Sequence, residues 1–178
     1  MRRLVSVLVV FAVLVVAQGV FANDGANHAS AVLRDANGQE IGFADFVEDA
    51  PGLVHVDVHV KGVTPGLHGI HLHAVGSCVP PTFASAGGHF NPMGEQHGLE
   101  NPNGPHAGDL PNLVVNESGV GHLDTTTDRV TLSAGPMSLF DADGTALVIH
   151  AHEDDQMTNP SGNSGSRIAC GVIEAAHR

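Results

Sequence analysis

The sequence predicts an all-β sandwich or barrel carrying two long functional loops, on three observations. Residues 52–61 alternate cleanly, with Val54, Val56, Val58 and Val60 on one face and His55, Asp57, His59 and Lys61 on the other, the period of a half-buried strand. Other short apolar runs follow at regular spacing between turns rich in Gly, Asn and Asp. Helical 3.6-residue periodicity is weak throughout.

Taken in order, residues 31–34 and 40–48 read as strands joined by the turn Asp35-Ala36-Asn37-Gly38, and residues 52–61 form the next. Residues 69–75 are a further strand. Residues 113–115 and 119–123 flank a turn at Asn116–Ser118. Ser138-Leu139-Phe140 and residues 146–149 are expected as strands on either side of Asp141-Ala142-Asp143-Gly144, and residues 168–174 close the fold. Two stretches, 76–111 and 151–166, lack strand pattern and are rich in Gly, Pro, Asn, His and Asp. Loops of that length are uncommon in a compact domain unless they carry function.

The first segment reads as an address. Arg2 and Arg3 precede an apolar run from Leu4 to Val16, and Val20-Phe21-Ala22 fits a small-residue cleavage site. The run is shorter than the roughly 20 residues a membrane span needs. The expected organisation is a secretory signal peptide at 1–22, a flexible mature N-terminus at 23–30 and one domain at 31–178. Export would place the chain in the periplasm, the cell envelope or the medium, with no stable membrane span after cleavage. Cys78 and Cys170 would then sit in an oxidising compartment where a disulfide persists, two unpaired thiols being the alternative.

The chain's 178 residues (18.3 kDa) suit one domain. Seven Lys and Arg against 19 Asp and Glu give a net charge of −12, which signal removal takes to −14. That balance argues against nucleic acid as a partner, because phosphate contacts need clustered cations. Apolar residues at 42% against 15% charged argue against disorder. Two cysteines exclude a four-thiolate zinc site.

Thirteen histidines are the main functional clue. His71 and His73, one residue apart on a strand, point to the same face and can share a metal ion. The first long loop adds His89, His97, His106 and Asp109, and a second strand end adds His150, followed by Asp154 and Asp155. Imidazole nitrogen suits copper and zinc, and an Asp oxygen suits zinc better than cuprous copper. Two histidines on a solvated strand would look like the first pair alone; six in two strand ends and one loop point to metal.

Five ordered motifs then carry a specific resemblance: residues 66–73 (GLHGIHLH), 85–92 (SAGGHFNP), 105–112 (PHAGDLPN), 147–150 (LVIH) and 162–172 (GNSGSRIACGV). From about Ala31 to the C-terminus the chain resembles the secreted bacterial Cu,Zn superoxide dismutases. The resemblance implies a Greek-key antiparallel β-barrel with a metal-binding loop and an electrostatic loop. It implies one copper ion on His71, His73, His89 and His150, and one zinc ion on His89, His97, His106 and Asp109. His89 would bridge the two as an imidazolate and supply a proton during turnover. Asp154 would hydrogen-bond one ligand of each site, His68 would lie beneath the copper site, and Cys78 would pair with Cys170. Arg167 would guide the superoxide anion to copper. An exported copper/zinc-binding protein without dismutase turnover is the alternative, though storage needs neither a bridging histidine nor Arg167.

Two features depart from the family pattern or lie outside it. Residues 151–166, in the place of the electrostatic loop, contain no Lys or Arg but do contain Glu153, Asp154 and Asp155, so long-range steering is expected to be weak. His55, Asp57 and His59 share a strand face, and His28, His122, His152 and His177 lie elsewhere. A solvated role is expected for these, surface ion binding being the alternative. The absence of Trp and Tyr removes the usual interface anchors, and the sequence allows a monomer or a homodimer.

Overall fold

In a computed structural model, residues 27–49 and 52–176 are described. The expected signal peptide and His177 lie outside them. Ten strands follow in order: β1 (His28–Asp35), β2 (Glu40–Glu48), β3 (Val54–Lys61), β4 (Gly66–His68), β5 (Ile70–His73), β6 (Leu113–Val115), β7 (Val120–Thr127), β8 (Ala146–His150), β9 (Arg167–Val172) and β10 (Glu174–Ala175). All pairings between these strands are antiparallel, in the sheet order β4-β6-β7-β3-β2-β1-β9-β8-β5, with β10 on β1. The sheet curls into a nearly closed Greek-key barrel. Its two end strands, β4 and β5, are consecutive in the chain and separated by Gly69 alone.

The alternation read in β3 is the alternation observed: Val54, Val56, Val58 and Val60 are buried, in contact with the core that contains Phe46, Leu33, Leu113 and Leu123. Strand β8 is buried along its whole length because it separates two clusters. Leu147 and Ile149 join the barrel core, whereas Ala146 and Val148 join a smaller cluster with Phe83, Ala86 and Cys170. Strand β5 is also buried throughout, with Ile70 and Leu72 in the barrel core and His71 and His73 on the opposite face.

Three expectations are corrected. Ser138–Phe140 is not a strand: Ser138 forms only an isolated bridge with Thr131, and the chain turns there. Leu139 is fully buried beside Leu132, so this apolar run plugs the core instead of pairing in a ladder. Strand β4, three residues with only His68 buried, carries no alternation and was not expected. Strand β1 begins at His28, so residues 28–30 are extended and paired with β2 and β10 instead of forming part of a flexible terminus. The fully buried Ala29 anchors them.

The two long loops stand where expected. Between β5 and β6 the only regular element is a 3-10 turn at Ala84–Ala86, and between β8 and β9 there is none. Cys78 and Cys170 form a disulfide that ties the first loop to β9.

Candidate metal centre

The sheet and the first loop bring seven predicted side chains together. His71 and His73 come from β5, and His150 ends the neighbouring β8. His89, His97, His106 and Asp109 come from the loop, which folds back along the free edge of β5. Leu72 N–H donates to Gly108 O (2.9 Å) and Phe90 N–H to Leu72 O (2.8 Å). Gly108 permits that approach, since a Cβ there would lie 2.3 Å from Leu72 O.

One ligand atom each from His71, His73, His89 and His150 lies within 4.8 Å of the others. The free nitrogens of this set are His71 Nδ1 and the Nε2 atoms of His73, His89 and His150, all buried and without a hydrogen-bond partner. Each ring's other nitrogen is occupied: His71 Nε2 by Asp154 Oδ2 (2.6 Å), His73 Nδ1 by Gly87 O (3.0 Å), His150 Nδ1 by Gly165 O (3.2 Å) and His89 Nδ1 by Asp109 Oδ1 (2.9 Å). Buried polar atoms are normally paired. Four orphaned imidazole nitrogens facing one another, with their partner nitrogens fixed from behind, fit a copper ion.

A second set shares His89. Asp109 Oδ1 lies 2.9 Å from His89 Nδ1, 3.0 Å from His97 Nδ1 and 3.3 Å from His106 Nδ1, and the last is 3.3 Å from His89 Nδ1. A tetrahedral zinc ion with bonds near 2.0–2.1 Å has ligand–ligand edges of about 3.3 Å, and these four distances, 2.9–3.3 Å, lie close to that value. His71, His89, His97 and Asp109 also bring one ligand atom each within 4.8 Å. His71 is already committed, however: its Nε2 faces Asp154 and its Nδ1 faces the copper set.

The surroundings hold these ligands in place. Asp109 Oδ2 accepts from the backbone N–H groups of Gly98 (2.8 Å) and His106 (2.9 Å), and Arg129 Nη2 donates to Asp109 O (2.7 Å). Asp154 spans the two sites, Oδ2 to His71 and Oδ1 to His97 Nε2 (3.0 Å), while its own backbone is clamped by the Asn112 amide through two 2.8 Å bonds. His68 Nδ1 lies 2.7 Å from His150 O and its Nε2 2.8 Å from Thr64 O, joining the β4 end of the sheet to a copper-set residue. Arg167 donates from Nη1 to Phe83 O (2.6 Å) and from Nη2 to Gly87 O (2.5 Å), both in the loop that the disulfide restrains.

Electrostatics follow burial. Desolvation lowers His71 to about 3, His73 to about 2 and His150 to about 4, with the Arg167 charge adding to the effect on the last two. Burial would also lower His97, but bonds to Asp109 and Asp154 outweigh it and lift that ring to about 9. Burial would raise Asp109 and Asp154, yet their histidine partners hold both well below the usual carboxylate range. The copper set is thus neutral imidazole with a cation beside it, and the zinc side holds the anionic groups.

Other predicted residues lie elsewhere. Asp155 caps its own loop, accepting from the backbone N–H groups of Met157 (3.0 Å) and Thr158 (2.7 Å). His55 pairs with Asp49 (3.4 Å), and the rings of His28 and His152 belong to neither site. Sequence reasoning missed Arg129, Asn112 as a clamp, and Gly162, whose absent side chain leaves room for Asp154. Arg129 gave one faint signal, as one of only seven cations in the chain.

Residues 40–173 match the copper/zinc superoxide dismutase family. The chain is 44% identical to superoxide dismutase [Cu-Zn] 2 of Aquifex aeolicus, over 97% of this chain and 99% of that protein. It is 40% identical to superoxide dismutase [Cu-Zn] of Caulobacter vibrioides, over 82% and 85% of the two chains. The crystal structure of a SOD-like protein from Bacillus subtilis superposes with a TM-score of 0.77 at 40% identity, covering 80% of this chain and 96% of that one. The sequence match, the barrel and the two fused ligand sets agree: the chain belongs to the copper/zinc superoxide dismutase family.

Proposed function

We propose that this protein is an exported Cu,Zn superoxide dismutase with one copper and one zinc ion per chain. The observation that carries the reading is the quartet of buried imidazole nitrogens left without partners beside three histidines, His89 among them, gathered on Asp109 Oδ1. His71, His73, His89 and His150 would hold copper, and His89, His97, His106 and Asp109 would hold zinc. Copper bound there supplies the one-electron cycling that turns two superoxide anions and two protons into dioxygen and hydrogen peroxide.

The chain's residues supply the rest. His89 presents Nε2 to the copper set and Nδ1 to Asp109, so Nε2 is the atom at which a proton is held and delivered. Asp109 and Asp154 fix the orientation of His89, His71 and His97. Arg167, pinned by two carbonyls, places a fixed cation beside His73 and His150 to attract and orient the anion. The basic-then-apolar segment at 1–22 supports removal of a signal peptide and residence outside the cytoplasm. Among the described residues no helix is long and apolar enough to cross a membrane.

The test is direct decay of superoxide by mature protein prepared metal-free, zinc-only and copper-plus-zinc, with metal counted on each sample. Catalytic decay only with copper is expected. Stoichiometric copper without catalysis would overturn the reading.

A further inference from the structure

On the outward face of β3 and β7 a second histidine cluster is built. His59 and His122 are direct cross-strand partners. Their rings stack at 4.4 Å with planes 13° apart. Both Nε2 atoms converge on the Asp57 carboxylate, at 3.2 Å from His59 and 2.8 Å from His122. One ligand atom from each of the three lies within 4.8 Å of the others, and all three side chains are about half exposed, open to an ion from solvent.

The neighbouring charges point the same way. Asp57 stands in register between Asp45 on β2 and Asp124 on β7, so three carboxylates line one row of the outward face. Like charges directly opposite one another destabilise a sheet. Among the described residues no Lys or Arg pairs with any of the three; Arg34 pairs with Glu40, and Lys61 sits opposite Val120. Two imidazoles and a carboxylate on a rigid pair of strands, beside two further unneutralised carboxylates, lack only a divalent cation, and imidazole ligands select a transition metal over calcium or magnesium.

We infer that Asp57, His59 and His122 form a third, surface metal site for a divalent ion of the zinc or cupric class, distinct from the buried pair. His55, on the same strand face, takes no part because Asp49 holds it.

The experiment uses mature protein fully loaded with copper and zinc and freed of excess metal, titrated with Zn²⁺ by calorimetry and by NMR of the histidine rings. One further equivalent per chain is expected, with the resonances of His59 and His122 shifting and those of His55 unmoved. His59→Gln and His122→Gln should each weaken that equivalent at least tenfold, and His55→Gln should not. The same variants should keep superoxide decay and stoichiometric buried metal, which shows that they remain folded. No third equivalent, or one that persists in the His59→Gln/His122→Gln double variant, would overturn the assignment. Because it is read as metal bound in excess of the loaded pair, the result stands apart from whether the protein turns over superoxide.

Discussion

Substituting Gly162 by alanine should damage the proposed zinc site without replacing a ligand. Gly162 has φ +61°, and a Cβ there would lie 1.7 Å from Asp154 Oδ1, 2.5 Å from its Cγ and 2.8 Å from His97 Nε2. Carbon–oxygen contacts run near 3.3 Å, so the carboxylate or the loop must retreat by about 1.5 Å. Such a shift breaks the 3.0 Å bond to His97 and the 2.7 Å bond from Gln156 N–H. Two hydrogen bonds to a charged group are worth about 1.5–3 kcal/mol each. Left-handed backbone in alanine adds about 1–2 kcal/mol. The loop therefore loses roughly 4–8 kcal/mol before it relaxes, and the loss of ligand support weakens zinc by about 10–100-fold. Competition with a zinc chelator reads the affinity. Gly38→Ala is the control, because Gly38 also has positive φ but nothing within 4 Å of a Cβ; it should bear the backbone strain and keep its zinc. Zinc affinity within twofold of the parent in a folded Gly162→Ala protein would refute the reasoning.

Four further outcomes are expected. Arg167→Met should lower kcat/KM for superoxide about tenfold or more and weaken inhibition by small anions, while copper content stays stoichiometric; unchanged kinetics would deny Arg167 its role. Replacing Cys78 and Cys170 by serine removes a bridge of sequence separation 92, which should cost up to ~4.5 kcal/mol in urea unfolding. The superoxide rate should fall little between low and high ionic strength, because the 151–166 loop has no Lys or Arg and its Asp154 is buried; a steep fall would contradict this. The metal-free protein should be most stable near pH 6.5. His71 and His150 are held at about 3 and about 4, so the unfolded chain takes up protons first and stability declines as pH falls below about 6.5. His97 is lifted to about 9, so its contribution is whole below about 6.5 and is lost as pH rises through 9. Urea midpoints across pH 4.5–9.5 check both limbs.

Much of this architecture was legible because its signals are local. The valine alternation in β3 needed only a period of two, and the spacing of His71 and His73 put both on one face for the same reason. The two loops announced themselves by length and composition. The resemblance that the five ordered motifs carry pointed to the expected ligand sets and to the Cys78–Cys170 disulfide, although His97 and Cys78 themselves lie outside those motifs. What escaped depends on contacts between distant segments. Ser138–Phe140 has the apolar content of a strand, but Leu139 fills core space instead of pairing in a ladder. Nothing near residue 129 in the sequence says that its guanidinium meets the backbone of Asp109. His55, Asp57 and His59 looked like one polar face, yet register with β7 brings His122 into the group and leaves His55 to Asp49.

The loop lying along β5 has a consequence for solubility. Strand β5 ends the sheet, and an open edge of Ile-His-Leu-His would offer its backbone to any passing strand. Here the bridges His71↔Asp109 and His73↔His89, with the bonds to Gly108 and Phe90, occupy that edge. The segment proposed to carry the ligands is therefore also the shield that keeps one molecule from adding itself to another. Stripping the ions loosens that shield, so chelation should expose a sticky margin and favour self-association well before the barrel itself unfolds.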